Sequence, residues 1–298
     1  MIINELNQKY AIPGHVEFKD GKGGLPTAFI KNKLAEAEVS LYGAHVLKYQ
    51  PEGQKDVLWI SANSIFEDGK PIRGGIPVCF PWFGPHATDS TKPQHGFARL
   101  LTWSVLSTTA LANGSTQLML ELESNSHTKS IWPFSFRAEM KIVVGRSLEV
   151  TLTYTNTGTE AFVCSDALHT YFNISDVTNT KIHGLKGTVY YKGFEKEPTG
   201  KQSEDLLMIK QEENRRYINH SAECIIEDNG FNRKIHVAKK GSNVTVVWNP
   251  WENAKNIPDM PDDGYKSMVC IEAVNTYDDV VKVIPGKSFS VSTEIRVE

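Results

Sequence analysis

The sequence predicts an all-β protein, a large antiparallel β-sandwich. Three observations carry this: period-two alternation, closely spaced turn signals, and little helical periodicity. Phe136, Ala138, Met140 and Ile142 are apolar, and Arg137, Glu139 and Lys141 lie between them. Leu148, Val150, Leu152 and Tyr154 alternate with Glu149, Thr151 and Thr153, and Phe289, Val291, Thr293, Ile295 and Val297 alternate with polar neighbours. Such runs set one face on a core and the other in water. Residues 244–248 and 268–274 are more continuously apolar and predict central strands covered on both faces. Asn113-Gly114, Asn156-Thr157-Gly158, Asp228-Asn229-Gly230, Lys240-Gly241 and Pro285-Gly286 punctuate the strands. Residues 203–214 read as a short helix or a long polar loop. No linker, repeat or composition shift divides residues 1–298, which predicts one domain.

The bulk numbers narrow the function. The chain has 298 residues, 40% of them hydrophobic, enough for a large core. A net charge of −3 speaks against nucleic acid or an anionic membrane as partner, although clustered arginines can still hold a small anion. No basic segment followed by an apolar run opens the chain, and no stretch is apolar for long enough to span a bilayer. Cys79, Cys164, Cys224 and Cys270 are far apart, with no Cys-x-x-Cys pair. They predict reduced core thiols in a cytoplasmic protein, and no metal site or cofactor. A monomer is expected.

Two segments break the strand pattern. Residues 65–99 are crowded with Gly, Pro and aromatics, and residues 248–265 carry Trp248, Pro250, Trp251 and Tyr265. Long irregular loops in a compact domain are usually functional or disordered, and these hold too many aromatics for disorder. They predict the walls of a ligand cleft, with Trp82, Phe83, Trp248 and Trp251 as stacking surfaces or loop anchors. Within the first segment, Arg73 precedes Gly74-Gly75, and His95 and Arg99 flank Gly96-Phe97-Ala98. Glycines beside an arginine would let the backbone approach a ligand, and a guanidinium fork suits a phosphate. No nucleotide-binding glycine loop is present.

Two strand residues could carry chemistry. Residues 165–172 read as one strand with His169 and Tyr171 on one face and Asp166 and Thr170 on the other. A strand histidine is more often structural than catalytic. Glu272 is the single charge in residues 268–275, with Cys270 and Val274 as same-face neighbours. A buried ion pair and a general base of raised pKa are both open to it.

Together these motifs resemble the aldose 1-epimerase superfamily and, within it, the hexose-6-phosphate mutarotases. The resemblance rests on Ile72-Arg73-Gly74-Gly75-Ile76-Pro77, Phe80-Pro81-Trp82-Phe83-Gly84, His95-Gly96-Phe97-Ala98-Arg99 and Leu168-His169-Thr170-Tyr171-Phe172. Trp248-Asn249-Pro250-Trp251 and Pro261-Asp262-Asp263-Gly264-Tyr265 with Glu272 extend it over nearly the whole chain. It implies a galactose-mutarotase-like β-supersandwich and cofactor-free exchange of the α and β anomers of a hexose 6-phosphate. His169 would then protonate the ring oxygen and Glu272 would take the anomeric proton. Arg73, Gln94, His95, Arg99, Asn214 and Trp251 would contact substrate. A motif that usually reads Asp-Arg-x-Tyr is Asn214-Arg215-Arg216-Tyr217 here, so position 214 keeps hydrogen-bonding capacity without charge. The chemistry suggests an acid and a base on opposite sides of the C1–O5 unit, each with a pKa near neutrality. The alternatives are an epimerase of unphosphorylated aldoses and a non-catalytic carbohydrate-binding protein.

Overall fold

In the computed structural model, which describes residues 3–298, the alternating segments become strands as read. Phe136–Val144, Ser147–Asn156 and Ser288–Val297 pair antiparallel and form the middle of a nine-stranded sheet. The Asn113-Gly114 turn joins Ser104–Ala110 to Thr116–Glu123, with Gly114 at φ 84° where a side chain would be strained. Val16–Asp20, Pro26–Lys31, Ala35–Ser40 and His45–Pro51 make a separate four-stranded meander.

The site is built on an eight-stranded sheet. Its strands, in chain order, are β1 Val78–Cys79, β2 Asp166–Leu168, β3 Tyr171–Asn173, β4 Val189–Lys192, β5 Gly200–Lys201, β6 Glu213–Ile218, β7 Val244–Asn249 and β8 Met268–Asn275. The spatial order is β5-β4-β6-β7-β8-β2-β1, and β3 also pairs with β8. Every residue of β8 is buried. Strand parity divides them: Val269, Ile271 and Ala273 join Val247, Met140, Ile142, Val150 and Leu152 in the main core, between this sheet and the nine-stranded one. Cys270, Glu272 and Val274 face the other way, beneath the irregular loops. This is why the two strands lack alternation.

One open alternative resolves to the loop, and two expectations need correction. Residues 203–214 form no helix; they are a polar loop holding the short strand Leu206–Met208, and β6 begins at Glu213. Residues 165–172 are two strands broken at His169-Thr170, where the His169 amide turns to the Pro77 carbonyl and the Tyr171 amide to Gly75. The glycines of 73–75 serve protein packing: a Cβ on Gly74 would strike the Trp59 carbonyl, and one on Gly75 the Val46 carbonyl. Two helices also escaped the periodicity. Ile3–Tyr10 buries Leu6, and Ser126–Ile131 is capped reciprocally by Asn125 and Thr128.

Gly96 has φ +73°, and a Cβ there would run into the Phe80 carbonyl; Gly14 has φ +76° with open space around it. Gly14→Ala should lose about 1–2 kcal/mol, the left-handed strain alone. Gly96→Ala should lose more by forcing the backbone beside His95. Denaturant melts of the two variants check this, and equal losses would remove the clash from the account.

Candidate active site

The broken strand delivers His169 to the same face as Glu272. Its Nε2 lies 3.4 Å from Glu272 Oε1, and both side chains are nearly inaccessible. The pair is therefore adjacent on one wall; it does not face across a gap. Tyr171 stacks on the imidazole, with ring centroids 4.8 Å apart at 14°, and Trp248 meets its edge at 6.1 Å. His169 Nδ1 and Glu272 Oε2 are buried without a hydrogen-bond partner among the described residues.

These residues line a cavity of about 250 Å³ with Arg73, Phe83, Gln94, His95, Arg99, Phe194, Asn214, Arg216, Val246 and Ile257. The volume is near the lower end for small-molecule sites. Residues from both irregular segments form its walls, as the sequence suggested. Trp251 is not among the lining residues; its ring packs on Tyr265, 5.2 Å between centroids, and it anchors the loop that brings Ile257 in. Trp82 is likewise an anchor, donating its Nε1–H to the Pro93 carbonyl at 2.9 Å.

His95 adopts φ 64°, a strained value for a non-glycine residue. Its backbone amide donates to the Gly84 carbonyl at 2.7 Å, and its Nδ1 accepts from the Gly84 amide at 3.0 Å. Accepting at Nδ1 leaves Nε2–H as the donor of the neutral ring. Burial first, then Arg99, keeps the ring neutral by pushing its pKa well below the usual histidine range.

The arginines differ in their partners. Arg73 donates from Nε to Asp259 Oδ1 and from a terminal nitrogen to the Tyr171 hydroxyl, each at 3.1 Å. Among the described residues, Arg99 reaches only the Gln94 carbonyl, at 2.8 Å, and its Nε is buried without a partner. Arg216 is 2% exposed and was not singled out from the sequence. Its guanidinium lies 3.9 Å from the Phe194 ring centroid and donates to the Tyr277 hydroxyl at 3.1 Å. Neither Arg99 nor Arg216 pairs with a carboxylate among the described residues. Asn214 and Arg216 share a face of β6, while Glu213 and Arg215 pair on the other. Residues 213–218 read Glu-Asn-Arg-Arg-Tyr-Ile, without apolar–polar alternation, so periodicity offered no signal for Arg216.

Register places Arg216 opposite Val246 on β7, and Val246 opposite Glu272 on β8. Burial pushes the Glu272 carboxyl well above the usual carboxylate range, and the Arg216 charge opposes that push. Burial, reinforced by Arg99 and Arg73, lowers His169 to about 3. The expected pair near neutrality is thus corrected: burial pushes the carboxyl up and the imidazole down, each toward its neutral form.

His169, Cys270 and Glu272 also bring donor atoms within 4.8 Å of one another, a grouping that sequence spacing concealed. It suits a divalent cation poorly. The Cys270 thiol is pushed well above its usual range by burial and the neighbouring carboxyl, so thiolate is disfavoured, and arginines share the cavity.

The sequence pattern described as Aldose 1-epimerase matches residues 27–296. A Salmonella typhimurium protein named "Putative glucose-6-phosphate 1-epimerase" is 37% identical over 82% of this chain and 81% of its own. A namesake from Escherichia coli is 35% identical over 90% and 89%. A crystal structure titled as a "putative mutarotase" from Salmonella typhimurium superposes with a TM-score of 0.89 at 31% identity, covering 100% of this chain and 99% of that one. It shares the all-β, mutarotase-like sandwich. No helix among the described residues is long and apolar enough to cross a membrane.

Arg216→Met removes the cation that opposes the effect of burial on Glu272. A cation favours the carboxylate, so its loss raises the proton affinity of Glu272. The protonated-carboxyl infrared band of Glu272, assigned by its absence in Glu272→Gln, should persist to higher pH in Arg216→Met. A band that titrates as in wild type would separate the two residues electrostatically.

Proposed function

The chain belongs to the aldose 1-epimerase family, and from that premise we propose that it interconverts the α and β anomers of a hexose 6-phosphate, glucose 6-phosphate foremost. One observation carries the reading: an imidazole and a carboxyl 3.4 Å apart and buried, in a cavity that also contains Arg99 without a carboxylate partner among the described residues. The names of the relatives at 35–37% identity support the same substrate class.

Ring opening needs one proton removed from O1 and one supplied to O5. Both oxygens are bonded to C1, so neighbouring acid and base on one wall can serve them. The Glu272 carboxylate takes the O1 proton, C1=O1 forms as C1–O5 breaks, and O5 receives the proton of the His169 imidazolium. The products are an open-chain aldehyde, a protonated Glu272 and a neutral His169. Burial favours this state, pushing the carboxyl up and the imidazole down. Rotation about C1–C2 and the reverse transfers close the other anomer. Arg99 and Arg73 hold the phosphate, His95 and Gln94 serve sugar hydroxyls, and Asn214 does so without the charge of an Asp.

Saturation-transfer NMR between the anomers tests this directly. Glu272→Gln and His169→Ala should each slow protein-dependent exchange of glucose 6-phosphate by at least about a hundredfold. Near-wild-type exchange in both would overturn the assignment. Arg99→Ala should lower catalytic efficiency on glucose 6-phosphate by about one to two orders of magnitude without lowering exchange of glucose. Free glucose turning over as fast as the phosphate would make the protein a plain aldose epimerase. Exhaustive chelation with EDTA should leave exchange unchanged, and loss restored by a divalent ion would overturn metal-free catalysis.

A further inference from the structure

A histidine that stays neutral cannot donate a proton to O5. What surrounds His169 explains both its neutrality and how it is relieved. Two fixed cations lie on its side of the cavity. Arg73 is tied to the hydroxyl of Tyr171, the ring stacked on His169. Arg99 follows His95, whose ring meets that of His169 at 5.7 Å. Both guanidiniums act against a positive charge on His169.

The other titratable groups facing it offer little compensation. His45 is buried against the Gly74 carbonyl and neutral, and His95 is neutral as well. The Tyr171 phenol and Cys270 thiol are held in their protonated forms by burial. Burial pushes the Glu272 carboxyl up, toward its protonated form. The remaining negative charge, Asp259, is engaged by Arg73. A proton on His169 would therefore add positive charge to a desolvated, positive neighbourhood.

A dianion bound to these arginines changes the sign of that neighbourhood. Burial favours a proton on Glu272, whose carboxyl lies 3.4 Å from His169 Nε2. Transfer of that proton leaves a carboxylate beside the Arg216 cation and an imidazolium beside the dianion, so no proton from solution is required. We propose that the anionic group of the substrate is an activator as well as a handle: a dianion on Arg73 and Arg99 moves the shared proton from Glu272 to His169 and so arms the general acid. The proposal rests on the mutarotase reading and extends it, because it makes the phosphate act on the chemical step as well as on binding.

If so, the two halves of the substrate need not be joined. A free dianion should accelerate exchange of free glucose. Sulfate is the suitable probe, since it is not a base near neutrality and adds little exchange of its own; protein-free samples with the same sulfate remove what it adds. Anomer exchange of glucose by the wild-type protein, followed by saturation-transfer NMR, should rise saturably with sulfate by at least about tenfold, the equivalent of one unit in proton affinity. Over the same sulfate range, exchange of glucose 6-phosphate should be inhibited. In Arg99→Ala, sulfate should no longer accelerate exchange of glucose.

A second measurement does not depend on that variant folding. The ¹⁵N shifts of the His169 ring, assigned by their absence in His169→Ala, should move toward imidazolium when sulfate is added to wild type. Sulfate that inhibits glucose 6-phosphate exchange yet leaves glucose exchange and the ring shifts unchanged overturns the proposal. So does sulfate without effect on either sugar. If the protein does not accelerate glucose 6-phosphate exchange at all, the mutarotase reading itself fails, which is a separate outcome.

Discussion

A carboxyl in the middle of a strand buried on both faces is the constraint on which the site depends. Glu272 occupies that place in β8, where each neighbour along the strand is apolar or a thiol. A charge there is expensive unless something answers it. The answer comes from either side of β8: His169 from the break between β2 and β3, and Arg216 from β6, one strand beyond β7. The sheet order brings all three to one face although they are distant in sequence. The opposite face of the same strands, through Val247, Val269 and Ile271, holds the sheet to the main core, so the pair rests on a rigid floor.

The roof is held by backbone contacts more than by side chains. Gly74 and Gly75 press on the strand that contains Val46 and on the Trp59–Ile60 backbone, and Gly96 presses on Phe80. These contacts fix the start of Arg73 and the unusual backbone of His95. The same logic holds Phe194 over Gly84, where a side chain would displace the ring that covers Arg216. An arginine enclosed by aromatic rings has a ring face and a phenol as partners, which leaves its charge available to the cavity.

The fold was legible because alternation and turn chemistry report directly on faces and hairpins. The strands 136–144, 147–156 and 288–297 follow from their periodicity alone. Glu272 and His169 were legible as anomalies, a charge and an imidazole in apolar strands. What escaped notice required knowing which strands are neighbours. Arg216 looks like any surface arginine until β6 is set beside β7, and Cys270 looks like a core thiol until β8 is seen beneath the cavity. The role of the glycines was misread for a related reason: sequence shows that the backbone must come close to something, and only the tertiary structure shows that it is more backbone. Trp251 belongs to a recognisable motif, yet it anchors its loop against Tyr265 and does not line the cavity.

The charge balance of the cavity gives the last constraint on what fits. Arg73, Arg99 and Arg216 contribute three positive charges, Asp259 answers one, and the Glu272–His169 pair is neutral in its preferred state. A neutral sugar would leave two desolvated guanidiniums uncompensated. A phosphate monoester, with about −1.5 to −2 charges near neutral pH, comes close to balancing them. Electroneutrality thus favours the phosphorylated hexose before any individual contact is considered. It also explains why Asn at position 214 is compatible with the site: the cavity already meets its substrate with opposite charge, and a further carboxylate would reduce that complementarity.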